Sequence, residues 1–129
     1  MSNHAESVRD VQLVRDYIEN IWNEGLTGRA DEYLAEHLIQ HNPNLPDGRK
    51  PLVDFIDGFR EQLPEARFEI RRTAGEGGLV FAHSHFRPEP GHRGVVVVDI
   101  FRIEDGRIVE HWDVREDVPE TTLSGNEVH

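Results

Sequence analysis

Two long segments near the end of the chain, Val95 to Ile103 and Arg107 to Arg115, constrain the fold more than any other feature. Both alternate in side-chain character, which is typical of β-strands. Glu104-Asp105-Gly106 separates them, and Gly106 can adopt the left-handed conformation that a tight turn requires. We therefore predict an antiparallel hairpin with a three-residue loop.

This loop length fixes which residues of the predicted hairpin share a face. It places Asp99 opposite His111 and Val97 opposite Asp113, and side chains two residues apart on a strand share a face. Phe101 is predicted on that same face. The other face is predicted to be almost wholly apolar, with Val96, Val98, Ile100, Ile108, Trp112 and Val114. Because both faces are apolar, we expect both to be covered.

The predicted cluster of Asp99, His111 and Asp113 is unusual, because aspartate is a poor strand former. Diagonal neighbours on paired strands are about 7 Å apart, which allows a shared ligand or proton network. Two carboxylates in apolar surroundings have pKa values pushed apart, which favours one acid and one base. We therefore predict these three residues as catalytic. The alternative is a structural pair of Asp99 and His111 with no further role.

The segments before the hairpin predict three helices followed by two further strands. Helical spacing of apolar residues indicates helices from Val8 to a stop at Gly25, from Gly28 to Leu38, and from Pro51 to Leu63. Alternation indicates strands at Phe68 to Arg71 and Leu79 to Phe86. We predict an α+β fold in which three N-terminal helices pack on a curved, mainly antiparallel sheet. A concavity between the two layers would hold a small molecule.

The chain has 129 residues, which fits a single domain, 1–129, with a core at about 8–117 and a loosely held polar tail at 118–129. The formal net charge of −11 argues against nucleic acid or anionic membrane as a partner. There is no cysteine, no signal-peptide pattern from Met1 to Glu6, and no apolar run long enough to span a bilayer. We expect a cytoplasmic protein.

Other residues are candidates for the pocket wall. Tyr17 and Trp22 lie on the first predicted helix, and His41 precedes Asn42-Pro43 at a possible pocket mouth. His83 and His85 share one face of a strand, so they could ligate a metal together with His111. We favour substrate binding over metal binding for these histidines. No dinucleotide fingerprint, phosphate loop or nucleophile elbow is present, so we expect no cofactor.

The order of motifs is similar to that of SnoaL-like proteins in the nuclear transport factor 2-like superfamily. The similarity covers about residues 8–117 and is carried by His41-Asn42-Pro43, His83-Ser84-His85, Val98 to Arg102, and Asp105 to Asp113. It implies a cone-shaped α+β barrel, often a homodimer through the sheet. In the SnoaL polyketide cyclases an aspartate on the last strand is the general acid/base of a cofactor-free aldol ring closure. Asp113 falls on that position.

Two departures limit what the resemblance implies about the substrate. The cyclases carry a glutamine and a histidine where this chain has Val97 and Asp99, which disfavours a polyketide. The related ketosteroid isomerases place a base aspartate before a proline, where this chain has Asn42, which disfavours a steroid.

We therefore expect a cofactor-free lyase, isomerase or cyclase acting on a small hydrophobic or carbonyl-containing molecule. Asp113 would be the general acid/base, with Asp99 and His111 tuning or relaying its proton. His41, His83 and His85 would bind or orient the substrate. One alternative is a binding module of the same fold without catalysis. The other is a metal-dependent enzyme at His83, His85 and His111.

Overall fold

The computed structural model describes residues 4–129. In chain order the elements are helix α1 (His4–Tyr17), a π-helical segment that continues it (Ile18–Asn23), a 3-10 helix (Thr27–Glu32), strand β1 (Leu34–Gln40), helix α2 (Arg49–Gln62), and strands β2 (Arg67–Glu76), β3 (Leu79–Arg87), β4 (Val95–Glu104) and β5 (Arg107–Asp117). The signal-peptide argument rests in part on residues 1–3, which lie outside the described residues.

The strands form one five-stranded sheet in the order β1-β5-β4-β3-β2. Only the β1–β5 pairing is parallel, and the other three pairings are antiparallel. The helices cover one face of this sheet, because each layer has an apolar side that it cannot bury alone. The core between the layers is aliphatic at its centre, and includes Val14, Ile21, Leu38, Ile56, Val80 and Ile108. The predicted α+β cone with a mainly antiparallel sheet is confirmed.

The second predicted helix, Gly28 to Leu38, is wrong. The chain forms a 3-10 helix only to Glu32, and then enters β1 at Leu34. Leu34 and Leu38 are both buried, and their spacing of four residues suits one face of a helix and one face of a strand equally well. Parallel pairing with β5 decides between the two, and that pairing is a long-range contact.

The hairpin of β4 and β5 forms as predicted, but its register differs. The loop has two residues, Asp105 and Gly106, with φ angles of 50° and 73°. Positive φ at both positions is the signature of a type I′ turn, which matches the twist of the strands. A β-bulge then shifts the register between Arg102 and Ile103. Asp99 therefore pairs with Asp113 instead of His111.

The bulge also changes which face Ile108 occupies. Ile108 was predicted on the face that carries Trp112, but it is fully buried in the core opposite Ile103. Beyond the bulge, the register differs from the predicted one by an even number of residues. Side chains alternate with a period of two, so Asp99, His111 and Asp113 still share one face.

The tail after Asp117 contains no helix or strand, but it is not loosely held throughout as predicted. The His129 ring stacks on the His85 ring with centroids 3.9 Å apart, on the sheet face that the helices leave open. None of the described helices is both long enough and apolar enough to cross a lipid bilayer.

Candidate functional site

A cavity of about 140 Å³ lies between the helices and the sheet. One end is walled by aromatic rings, and the other end is polar. The aromatic end is formed by Trp22, Phe55, Phe59, Phe68 and Phe86. The polar end is formed by Gln40, Asn42, Asn44, Asp99, His111 and Asp113, and Arg115 lies at the exposed edge of the cavity beside Val95 and Phe86. Such a cavity suits a molecule with an apolar body and a polar group that the far end can recognise.

His111 is at the centre of the polar end, on β5. Its Nε2 lies 2.8 Å from Asp99 Oδ1 on β4, and its Nδ1 lies 2.7 Å from Gln40 Oε1 on β1. Three adjacent strands thus hold one imidazole ring in place. The same Nε2 is 4.0 Å from Asp113 Oδ2, which is too long for a hydrogen bond.

The backbone fixes the orientation of the Gln40 amide and with it the tautomer of His111. The backbone N–H of Asn42 donates to Gln40 Oε1 at 3.1 Å, so that oxygen must face inward as an acceptor. His111 Nδ1 meets the same oxygen, so it carries a proton and donates it. The other nitrogen, Nε2, is therefore the one that exchanges a proton with Asp99.

The Asn42 amide is oriented in the same way. Its Oδ1 accepts the backbone N–H of Asn44 at 2.8 Å, which turns Nδ2 toward the cavity. Nδ2 donates to Asp113 Oδ2 at 2.8 Å. Asp113 is thus held by an amide donor on the loop after β1, and not by His111. Its other oxygen, Oδ1, has no hydrogen bond to another described residue.

Burial raises the pKa of Asp99, and the hydrogen bond and charge of His111 oppose the rise. The residue is only 9% exposed. With Nδ1 of His111 donating to Gln40, one further proton can be shared between Asp99 Oδ1 and His111 Nε2 across their 2.8 Å contact. The pair is then neutral overall, whether that proton is closer to the carboxyl or to the imidazole. Asp99 and His111 therefore form a buried store of one proton beside Asp113.

Tyr17 and Trp22 both line the cavity, as expected from the sequence. The helix changes from α to π at Ile18, and the spacing of five residues brings Trp22 over Tyr17. Trp22 Nε1 donates to the Tyr17 hydroxyl oxygen at 2.9 Å. Burial raises the pKa of Tyr17, so its hydroxyl stays protonated and can donate into the cavity. Phe101 also lines the cavity and packs its ring against Tyr17, with centroids 5.9 Å apart.

The aromatic end is a mutually packed set of rings. Trp22 contacts Phe59 and Phe68 with centroid distances of 5.5 and 5.4 Å, and Phe68 contacts Phe86 at 4.7 Å. Asn23 anchors Phe68 through two hydrogen bonds to its backbone, of 2.9 and 2.8 Å. This wall offers π-faces to a ligand but no charge.

Three histidines predicted to bind the substrate do not face this cavity. His83 and His85 pair with Val98 and Val96 on β4, which belong to the opposite face of the sheet from Asp99. His41 stacks on Trp112 with ring centroids 4.8 Å apart on that same opposite face. The expectation that they line the pocket is corrected, because strand alternation separates them from it.

The same separation removes the proposed metal cluster of His83, His85 and His111, since His111 faces the cavity and the other two do not. Within residues 4–129, the group with suitable spacing for a metal ion is Asp99, His111 and Asp113, whose ligand atoms lie within 4.8 Å of one another. A cation there would require an ionised Asp99, and burial disfavours that form.

Gln40, Asn42 and Arg115 are cavity residues that were not predicted as site residues from the sequence. Gln40 was missed because β1 was expected to be mostly helical, so its pairing with His111 could not be anticipated. The sequence indicates Asn42 only as the residue that stands where the ketosteroid isomerases carry their base aspartate. Arg115 shares the alternation of Asp99 and Asp113, and that signal was available from the sequence alone.

A family model described as a SnoaL-like domain matches residues 14–111. The chain belongs to the SnoaL-like family. The matched span includes His111 and Asp99 and ends just before Asp113. No curated protein matches this SnoaL-like chain.

Several solved structures share the fold of this SnoaL-like chain. A Bacillus cereus protein named as a polyketide cyclase has a TM-score of 0.75 at 21% identity, covering 89% of this chain and 79% of its own. A Kribbella flavida protein named as a ketosteroid isomerase has a TM-score of 0.73 at 17% identity, covering 91% and 84%. An LEH-like epoxide hydrolase from M. tuberculosis has a TM-score of 0.67 at 19% identity, covering 86% and 85%. At these identities the likeness shows the fold alone.

Proposed function

We propose that this SnoaL-like domain is a cofactor-free enzyme that moves protons next to a carbonyl group of a small, largely apolar molecule. The observation that carries the proposal is the hydrogen-bonded set at the polar end of the cavity. Asp99 Oδ1 and His111 Nε2 lie 2.8 Å apart and can share one proton, and a separate carboxylate, Asp113, lies 4.0 Å from the same imidazole nitrogen. An acid and a base side by side in a buried cavity are what enolisation needs.

In the proposed step, Asp113 takes a proton from the carbon next to the carbonyl. The C–H electron pair moves toward the carbonyl, and the oxygen gains negative charge. The Asp99–His111 pair gives its proton to that oxygen, and the Tyr17 hydroxyl donates a hydrogen bond to it.

For an isomerisation, the substrate carries a C=C bond next to the enol. Asp113 returns its proton to the far carbon of that bond, the carbonyl reforms, and the enol O–H proton goes back to the Asp99–His111 pair. For an aldol closure, the enol carbon instead attacks a second carbonyl of the same molecule. The oxygen of that second carbonyl takes the proton from Asp113, and the enol O–H proton returns to the Asp99–His111 pair.

The buried position of the proton store supports this division of roles. Asp99 is hydrogen-bonded to His111 and buried; burial raises its pKa, so it can act as an acid. Asp113 is held at one oxygen by Asn42 and keeps the other for a substrate. His111 does not contact Asp113 directly, so we assign His111 as a positioning and relay residue.

A non-catalytic binding module with the same cavity is the alternative, and exchange of substrate hydrogen with solvent separates the two. The protein is incubated in D₂O with small phenyl-substituted ketones such as phenylacetone, and the α-proton signals of the ketone are followed by NMR. Protein-dependent loss of those signals supports an enzyme. Saturable binding of the same ketones without any exchange would favour the binding module.

We also propose that the chain forms a homodimer through the sheet face that the helices leave open. This face carries Phe81, Val98, Ile100, Trp112 and Val114 from three adjacent strands. Phe81 is 42% exposed and Val114 is 64% exposed. An exposed apolar patch of this kind usually marks a surface that a partner covers. A cytoplasmic location stays a prediction, as does the single-domain boundary.

A further inference from the structure

We propose that Arg115 binds an anionic group of the substrate, a carboxylate or a phosphate, at the mouth of the cavity. The substrate is then an amphipathic anion with an apolar body of about one ring. The inference rests on the proposed function, because it assigns a substrate class to the same cavity. It adds a binding residue that neither the family match nor the acid–base chemistry requires.

The position of Arg115 on β5 carries the first part of the argument. Arg115 pairs with Val97, and Asp113 pairs with Asp99, so the arginine is the next inward-facing residue after the catalytic pair. Alternate residues of a strand are about 7 Å apart. An anionic group held by Arg115 would therefore lie a few bonds along the substrate from a carbonyl that reacts at Asp113.

The second part is that Arg115 is neither hydrogen-bonded nor ion-paired within residues 4–129, although its charge acts on the nearby Asp99 carboxyl and lowers the pKa of that group. Other arginines on the sheet are engaged: Arg87 with Glu69, and Arg102 with Glu110. Arg115 makes neither a hydrogen bond nor an ion pair with any described residue. The chain has 25 acidic residues against 14 basic ones, so carboxylates for an arginine are plentiful. A cavity-lining guanidinium left without one is available for a ligand.

The surroundings of Arg115 favour an anion over a neutral polar group. Phe86, Val95 and Arg115 line both the cavity and an adjoining surface crevice, and that crevice also contains His92, Arg93 and one carboxylate, Asp117. The crevice thus presents two guanidinium groups against one carboxylate, while the Asp113 carboxylate lies deeper, next to Asp99. Arginine binds carboxylate and phosphate through two parallel hydrogen bonds, which adds specificity to the charge attraction.

The size of the cavity limits the apolar part of the substrate. Its volume of about 140 Å³ is close to that of an engineered protein cavity that holds benzene, roughly 150 Å³. The aromatic end is lined by packed rings such as Trp22 and Phe68. One ring or a short branched chain fills this space, and a fused four-ring skeleton does not.

Binding of matched anionic and neutral probes tests the inference without any turnover. Hydrocinnamate is compared with hydrocinnamamide, and phenethyl phosphate with phenethyl alcohol, by NMR titration of the Trp22 indole N–H, which lies in the cavity. At least one anion is expected to bind about tenfold more tightly than its neutral counterpart, the ratio that one charge-assisted hydrogen bond produces. A preference for hydrocinnamate identifies the anionic group as a carboxylate, and a preference for phenethyl phosphate identifies it as a phosphate.

Two arginine variants complete the test. Arg115→Gln is expected to bring the anion-to-neutral ratio close to one while the neutral probe keeps its affinity. Arg9→Gln removes the same charge from an exposed site on α1 and is expected to leave the ratio unchanged. The inference is overturned if neither anion is preferred, if Arg115→Gln keeps the preference, or if no probe shifts the Trp22 signal.

The outcome is independent of the test of the proposed function. If the wild-type protein exchanges substrate hydrogen with solvent but does not prefer the anionic probes, only the inference about Arg115 is overturned. A preserved preference in a protein that exchanges no substrate hydrogen leaves the anion site standing and overturns the enzymatic role.

Discussion

The amide oxygen of Gln40 lies 2.7 Å from Nδ1 of His111, across the one parallel pairing in the sheet. Because that oxygen also accepts the backbone N–H of Asn42, it cannot turn away without leaving a backbone donor unpaired. Gln40 therefore decides which imidazole nitrogen can exchange a proton with Asp99. Gln40, which exchanges no proton itself, thus sets the direction of proton transfer through its hydrogen bond to His111.

Replacing Gln40 with leucine should disturb both the tautomer of His111 and the stability of the fold. The imidazole and the Asn42 N–H both lose their acceptor, which costs about 1–3 kcal/mol of unfolding free energy. We expect ¹⁵N NMR of His111 to show a mixture of tautomers instead of protonation at Nδ1 alone. Gln12→Leu, at an exposed position of α1, should leave His111 unchanged. A single Nδ1-protonated form in Gln40→Leu would contradict the assignment.

The carboxyl of Asp99 should titrate above its ordinary pKa of 3.8, because burial disfavours its charged form. Carboxyl ¹³C NMR over a pH series measures this directly. His111 lowers the pKa of Asp99, so the His111→Gln variant should raise it further. An ordinary midpoint in the wild type, or a downward move in His111→Gln, would contradict the account of the proton store.

The same titration has a defined effect on stability. Asp99 binds its proton more tightly in the folded protein than in the unfolded chain, because its pKa is raised by folding. Its contribution to stability is therefore largest when it is protonated and smallest when it is ionised. Its contribution to the unfolding free energy should fall as pH rises from 3.8 through the raised pKa. In urea titrations at several pH values, Asp99→Asn should lose this decline. A variant with the same pH slope as the wild type would point to another group.

Ile108 tests the β-bulge that sets the register of the hairpin. The residue is fully buried opposite Ile103, so Ile108→Ala should lower the unfolding free energy by about 2–5 kcal/mol. Ile39, on β1, is 39% exposed, and Ile39→Ala should cost less than about 1 kcal/mol. Urea denaturation compares the two. Equal losses would argue against the bulged register.

Val114 tests the proposed dimer. A charge in the centre of an apolar interface would be buried without a partner, so Val114→Glu should convert the dimer to a monomer. Light scattering coupled to size exclusion gives the mass of each form. Val8 is 53% exposed on α1, and Val8→Glu should leave the mass unchanged. A wild-type chain that is monomeric at high concentration would rule out the interface.

Local pattern was sufficient to predict the strongly periodic elements of this chain. The first and third helices and strands β3 to β5 follow from apolar spacing and turn residues, which act over a few neighbours. The shared face of Asp99, His111 and Asp113 was also predictable, because the shorter turn and the bulge each move the register by one residue and together move it by an even number. A shift by one residue would have placed the three groups on opposite faces.

The remaining features depend on contacts between distant parts of the chain. β1 becomes a strand through parallel pairing with β5, and only that pairing brings Gln40 and Asn42 to the cavity. A two-residue turn followed by a bulge and a three-residue loop are both compatible with this hairpin sequence, so the sequence alone does not decide between them. Hairpin alternation also could not show which face the helices cover, so His83 and His85 were assigned to the wrong side of the sheet.

The exchange of α-hydrogens with deuterium in the Asp113→Asn variant tests the central claim most directly. Asp113 is proposed to remove the proton, so this variant should lose at least about a hundredfold of the wild-type exchange rate on an aryl ketone such as benzoylpropionate. It should still fold and still bind the ketone, as the Trp22 indole signal would report. Asp105→Asn, at the tip of the hairpin where φ is already positive, serves as the matched control and should exchange at the wild-type rate. If Asp113→Asn exchanges α-hydrogens as fast as the wild type does, Asp113 is not the base.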